Sequence, residues 1–270
     1  MKNEKLKHAL ENVYMFLLFL FFYAPIVVLM VMSFNSSKSR GTWGGFSLKW
    51  YAEMLSDAQL MAALRTTLIV GVLSALISTV IGTAAAIGIQ GFRRKPIKTI
   101  ITNITNIPMV SSELVTGVSL MILFIAVGLP RGMFTMLLSH ITFNIPYVIL
   151  SVTPKLIQLD NSMYEAAIDL GAKPFYAFRK VVMPEISPGI VNALLISFTL
   201  SIDDFVISFF TTGNGVSNLS TYVYAMAKRL NPKINALSTV MFVIVMLLLF
   251  VINKRSSKDK SDNILMEVDG

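Results

Sequence analysis

Apolar residues in this chain fall into six long runs separated by short polar stretches. A helix needs roughly 20 mostly apolar residues to cross a bilayer, and Val13–Phe34, Leu64–Ile89, Ile97–Leu129, Met133–Ile157, Ile190–Thr212 and Ala236–Ile252 all qualify. The expected fold is an all-α membrane protein with six transmembrane helices over residues 13–252, preceded by an N-terminal segment, 1–12, and followed by a charged tail, 253–270. Pro108 divides the third and longest run and predicts a break there. Carbonyls freed at membrane depth are tolerated only against protein or a water-lined cavity, so Asn106–Glu113 is either part of a path or a plain kink.

Composition agrees with a bilayer as solvent: 54% of residues are hydrophobic, 14% are charged, and the mean hydropathy is +0.68. Lys2, Lys5 and Lys7 ahead of the first run imitate a secretory signal, but the run is too long and lacks a small-x-small cleavage site, so a retained anchor is expected. With the N-terminus inside, fifteen of the 23 Lys and Arg residues fall on the cytoplasmic side, which predicts that both termini are cytoplasmic. The net charge of +8 then reflects topology and contact with anionic lipid, not nucleic-acid binding, because the basic residues are scattered over short loops. The absence of cysteine excludes disulfides, thiol chemistry and thiolate metal sites.

One polar insert, Glu165–Pro184 within the cytoplasmic loop 158–185, has a different character. Glu165 to Leu170 are strong helix formers, Gly171 stops the turn, Pro174 opens a second short helix, and Pro184 is expected to close it. An elbow of this length is not stable alone. Its aromatic residues Phe175, Tyr176 and Phe178, flanked by Lys173, Arg179 and Lys180, suit either insertion into a groove on a partner or a position on the membrane surface.

The spacing of Glu165-Ala166-Ala167, Gly171, and Val181-Val182-Met183-Pro184 resembles the EAA loop of ATP-binding-cassette importer permeases, with valine and methionine at positions usually held by isoleucine and leucine. Further stretches are similar to the PotC-type permeases of spermidine/putrescine importers: Ser33-Phe34-Asn35-Ser36-Ser37, Lys49-Trp50-Tyr51, Ser139 to Phe143, Ser197 to Ser201 with Asp203-Asp204, and Asn235-Ala236-Leu237. The resemblance implies a type I importer permease of MetI-like architecture in the plasma membrane of a bacterium. It also implies a homologous PotB-type permease subunit, two copies of a cytoplasmic ATPase that bind ATP and magnesium, an extracytoplasmic substrate-binding protein and a polyamine substrate. In that picture Glu165, Ala166, Ala167, Gly171 and Pro184 couple the chain to the ATPase. No cofactor is expected in this chain.

Glu113, Asp203 and Asp204 are acidic residues within predicted spans, where a carboxylate costs roughly 2.5–3.5 kcal/mol on insertion scales. A polyamine path would need spaced carboxylates and aromatic faces for its ammonium groups, and Phe198, Phe205 and Phe209 are available. The acids could instead pair with polar neighbours such as Ser201, Ser208 or Asn144. Adjacent helical residues point about 100° apart, so one of Asp203 and Asp204 would line the path and the other would pair or cap. His140, beside Ser139, is expected to be a hydrogen-bonded residue at a helix end rather than a proton relay. Trp43, Trp50 and Tyr51 are expected to anchor the outer interface.

The sequence holds no phosphate-binding GK[ST] loop, no HExxH and no serine–histidine–acid set. A permease driven by a separate ATPase is favoured over a secondary transporter, which would usually carry an internal repeat. An intramembrane hydrolase has no support at the residue level.

Overall fold

A computed structural model of the chain describes residues 2–39, 41–92, 94–213, 215–228, 231–243 and 246. In chain order the helices are α1 (Lys2–Ser33), α2 (Lys49–Leu55), α3 (Ala58–Gly91), α4 (Lys95–Val110), α5 (Glu113–Ala126), α6 (Met133–Gln158), α7 (Asn161–Asp169), α8 (Pro174–Ala177), α9 (Met183–Asp203), α10 (Val206–Thr211), α11 (Leu219–Lys228) and α12 (Lys233–Val243). A π-helical turn, Phe178–Val182, joins α8 to α9. The described residues contain no strand, only an isolated bridge between Asn35 and Phe46. Two compact units divide the chain, residues 59–224 and a smaller one formed by 1–58 with 225–270.

In the smaller unit, the most apolar stretch of α1 buries nothing, as expected of a helix whose surroundings are lipid. Asn35 organises the loop that follows. Its Nδ2 donates to the Thr42 carbonyl at 2.8 Å, its Oδ1 accepts the Gly44 amide at 2.8 Å, and its carbonyl accepts the Trp50 indole N–H at 2.6 Å. Trp50 is only 2% exposed. It is therefore a core residue of this loop and not the interface anchor its type suggested; Trp43 is exposed, and the Tyr51 hydroxyl bonds Ser33 at 2.6 Å.

In the larger unit, α3 packs through small side chains. A Cβ on Gly82 would stand 2.6 Å from the Val148 Cβ, so only glycine lets α3 and α6 approach this closely. Ala86 and Ile89 of α3, Val148, Ile149 and Val152 of α6, and Ala193 of α9 form the apolar core. Polar bonds run through the same interface: Ser74 to Ser201 at 2.8 Å, and Asn144 Nδ2 to Ser201 Oγ at 2.8 Å.

The structure corrects three expected boundaries. The third run is not one helix: α4 and α5 meet at 103° across Ser111-Ser112, while Pro108 lies inside α4, one turn before the break. The fifth run does not continue to Thr212, because α9 ends at Asp203 and Asp204-Phe205 separate it from α10. Pro184 does not close the second elbow helix, since helix runs unbroken from Pro174 to Asp203. Proline cannot donate to the carbonyl four residues back and crowds it, and here the π turn immediately before Met183 absorbs that misfit, with the Met183 amide bonded to the Phe178 carbonyl. Among the described residues four helices are long and apolar enough to span a bilayer, or five if the bent α4–α5 pair makes one span. The expected sixth span, Ala236–Ile252, is described only through α12 and Met246; its remainder and the tail 253–270 lie outside the described residues.

Candidate functional site

The elbow begins where Asp160 accepts the Ser162 amide at 2.9 Å, capping the N-terminus of α7. Hydrogen bonding from the Ser162 backbone, and then from its side chain, holds the Asp160 carboxyl below its ordinary range. Helix α7 ends at Gly171, whose φ of +86° accompanies a bond from its amide to the Ile168 carbonyl at 2.8 Å and one from Ala172 to Ala167 at 3.0 Å. This is a left-handed C-terminal cap that glycine adopts without strain. Pro174 then takes the first position of α8, as its spacing predicts.

This geometry leaves a coherent exposed surface. Glu165, Ala166, Gly171 and Pro184 are exposed and Ala167 is half-buried. Beside them Leu170 is 89% exposed and Phe175 75% exposed, with Tyr176 also open. Apolar side chains exposed together on a polar loop offer a surface that a partner or a membrane can cover.

The second set of residues gathers at the α9–α10 break. Asp204 is buried, and its carboxylate accepts the Ile207 amide at 3.1 Å, the Ser208 amide at 2.8 Å and the Ser208 hydroxyl at 2.8 Å. It thereby satisfies the free amides at the start of α10. His140 Nε2 lies 2.9 Å from Ser208 Oγ and 3.4 Å from Asp204 Oδ2. Asn218 Nδ2 donates to Ser208 Oγ at 2.8 Å and to the Asp204 carbonyl at 3.1 Å. His140 is thus hydrogen-bonded but lies in the body of α6, not at a helix end.

Asp203, by contrast, is exposed. Two residues on, Phe205 begins a group of three rings: Phe205 to Tyr224 at 4.8 Å, Phe205 to Phe209 at 5.5 Å, and Phe209 to Tyr224 at 6.0 Å between centroids. Exposed carboxylates and open aromatic faces are the two groups that attract an organic cation. Phe198 stands apart from that group and packs on Gly71 of α3. Glu113 is exposed at the first turn of α5, on the other break. The two breaks are joined by packing, because Gly117 of α5 lies against Ile207 and Phe210 of α10. Sequence reasoning passed over Asn218, Asp160 and Tyr224. For Asp160 a signal was present, an Asp two residues before a serine amide at a helix start; for Tyr224 there was none, since its partners are fifteen and nineteen positions away.

Comparison with known proteins places this geometry. Residues 78–255 match the family described as binding-protein-dependent transport system inner membrane component. The spermidine/putrescine transport system permease protein PotC of Escherichia coli K12 is 35% identical over 253 residues, 93% of this chain and 95% of that protein. The putrescine transport system permease protein PotI of the same strain is 39% identical over 228 residues, 82% of this chain and 81% of that protein. Among solved structures, a bacterial ABC transporter that imports the acidic polysaccharide alginate superposes with a TM-score of 0.72, covering 95% of this chain and 96% of that one at 16% identity, a likeness of fold. The inward-facing MetNI methionine ABC transporter gives 0.59 over 75% of this chain and 95% of that one, at 21% identity. A helical fold with an exposed EAA elbow and this family match over most of its length make the chain a member of the binding-protein-dependent transport system inner membrane components, the permeases of ABC importers.

Proposed function

We propose that the chain is a membrane-spanning permease subunit of an ATP-driven importer that brings polyamines, spermidine or putrescine, into the cytoplasm across the bacterial plasma membrane. It works beside a homologous PotB-type permease and two copies of a cytoplasmic ATPase that hold ATP and magnesium, and receives substrate from an extracytoplasmic binding protein. The observation that carries the coupling is the elbow, where Glu165, Ala166 and Gly171 share an exposed surface with Leu170, Phe175 and Tyr176. Apolar groups of this kind gain free energy when a partner's cleft covers them, and a rigid elbow can transmit closure of the ATPases to the spans.

The substrate reading rests on the names of the PotC and PotI relatives, on exposed Asp203 two residues before Phe205, and on the ring group of Phe205, Phe209 and Tyr224. Glu113 on the neighbouring break and Phe198 complete the residues assigned to the path. Asp204 serves the path through the position of the break, since its carboxylate oxygens are taken by Ile207 and Ser208. Import of another small cation is the second reading, because aromatic faces and one exposed carboxylate do not count ammonium groups.

The test is uptake of labelled spermidine and putrescine into proteoliposomes holding this chain with its partner permease, ATPase and binding protein. Uptake that requires ATP, falls with Asp203→Asn, and is absent without the ATPase supports the whole reading. ATP-dependent uptake unchanged by the substitution removes Asp203 from the path, and absence of polyamine uptake removes the substrate.

A further inference from the structure

A groove of about 470 Å³ runs between α3, α4 and α6, bounded by Gly88 and Ile89, by Ile101, Thr105 and Pro108, and by Ile149. Its walls are almost wholly apolar. The two hydroxyls that reach it have given their protons to their own helices, Thr105 to the Ile101 carbonyl at 2.9 Å and Thr142 to the Leu138 carbonyl at 2.8 Å. Nothing in the lining recognises a cation.

One end of the groove is charged. Ile101, Thr105 and Pro108 sit three and four residues apart, so they form one row along α4. Three residues before Ile101, the same row continues into Lys98, whose Nζ donates to Gln90 Oε1 across the α3–α4 turn. Arg94 and Lys95 stand exposed at that turn. An apolar groove whose α4 wall continues into Lys98, with Arg94 and Lys95 exposed at the same turn, has the chemistry to take an amphiphile with an anionic head.

We propose that this groove binds one acyl chain of an anionic phospholipid, with the phosphate held by Lys98, Arg94 and Lys95. Basic pockets between helices on the cytoplasmic side are suited to anionic headgroups. A helix from a partner subunit is the competing occupant, and the experiment separates the two. The assignment is independent of the transported solute, and its failure would leave the import reading untouched.

The experiment places phosphatidylglycerol or phosphatidylcholine, each with a photoreactive diazirine midway along one acyl chain, at equal mole fraction in vesicles holding the full chain, alone and with its partner subunits. Labelled peptides are then mapped. The expected result is labelling of the α4 segment around Ile101–Pro108 that favours phosphatidylglycerol and falls about fivefold on Lys98→Gln, with smaller losses for Arg94→Gln and Lys95→Gln, in line with the contribution of a basic residue near an anionic surface. Gly88→Leu should lower labelling by both lipids. Gly88 lines the groove and an added Cβ there meets no atom within 4 Å, so the substitution begins in open space, and an unchanged melting temperature verifies that the variant is folded. Equal labelling by the two lipids that ignores all four substitutions would overturn the proposal. So would labelling of the chain alone that disappears in the full assembly, which would give the groove to a partner's helix.

Discussion

The Ser208 hydroxyl stands 2.8 Å from Asp204 Oδ2, one helical turn away, and the direction of that bond fixes the rest of the cluster. A carboxylate only accepts, so Ser208 gives it its single proton. Ser208 Oγ must then accept from both Asn218 Nδ2 at 2.8 Å and His140 Nε2 at 2.9 Å. His140 therefore carries a proton on Nε2, and the four side chains bind the end of α9, the start of α10, α6 and the turn before α11 into one buried unit.

Asp203 and Asp204, adjacent in sequence, should respond differently to the same change. Asp204→Asn replaces one acceptor oxygen with an amide that faces donors from Ile207 or Ser208, and each buried donor left unpaired costs about 1–3 kcal/mol. Asp203→Asn alters an exposed side chain. Thermal unfolding of the purified variants should show a lowered midpoint for Asp204→Asn and an unchanged one for Asp203→Asn, while uptake assays should find Asp203→Asn folded but impaired. Equal melting temperatures would contradict the capping role of Asp204.

Replacement of His140 separates hydrogen-bond donation from charge. Glutamine can place an amide N–H near the position of the imidazole Nε2–H, so His140→Gln should keep most of the stability and uptake. His140→Leu leaves Ser208 short of one donor in a buried site and should cost about 1–2 kcal/mol. A glutamine variant as damaged as the leucine variant would show that imidazole charge, not donation, is what the cluster uses.

Much of this architecture can be read from the order of residue types, and what cannot be read is specific. The positions of α1, α3 and α6 follow from apolar runs, and the elbow follows from Gly171 and Pro174, whose backbone preferences are local. The helix breaks were misplaced because Pro108 and Pro184 look like terminators. A proline in a long membrane helix is accommodated when the preceding turn relaxes, as the π turn before Met183 does, whereas the real breaks at Ser111-Ser112 and Asp204-Phe205 come from serine and aspartate side chains that compete for backbone amides. Trp50 was misread because its partner, the Asn35 carbonyl, is set by a loop whose fold is not local.

Close packing of α3 on α6 gives a reciprocal test. Gly82→Ala puts a methyl group 2.6 Å from the Val148 Cβ, inside van der Waals contact, and overpacking of this kind costs about 1–3 kcal/mol. Val148→Ala removes two methyl groups at the same place and should itself destabilise by creating a cavity. Alanine at position 148 keeps the Cβ that the new methyl group meets and removes the Cγ1 atom 2.7 Å from it, so the double variant relieves part of the clash and a thermal-unfolding cycle should show partial coupling, opposite in sign to the single effects; strict additivity would mean that the helices do not meet at this pair.

The Asp160 cap makes a pH-dependent contribution whose sign follows from its environment. Because the Ser162 amide lowers the folded-state pKa below the ordinary 3.8, the contribution is present in full above that value and is lost as pH falls through the depressed one. Hydrogen exchange of the α7 amides should therefore be insensitive to Asp160 titration near neutral pH and should accelerate only in strong acid. Asp160→Ala should show the fast exchange already at pH 7.

Gly171 offers a variant that separates insertion from coupling. Its φ of +86° is disfavoured for residues with a side chain, yet an added Cβ would touch nothing within 4 Å, so the cost of substitution is conformational and not steric. A left-handed backbone costs a residue with a Cβ about 1–2 kcal/mol, more when branched, and asparagine tolerates it best. Gly171→Asn should retain the bend between α7 and α8, whereas Gly171→Val should shift the elbow to another backbone state and turn Leu170 and Phe175 away from their partner surface. In proteoliposomes with the ATPase present, the valine variant should insert normally but lose the link between ATP hydrolysis and uptake, and the asparagine variant should stay close to the parent. If valine left transport and hydrolysis coupled, the left-handed turn would not be the element that sets the elbow's angle.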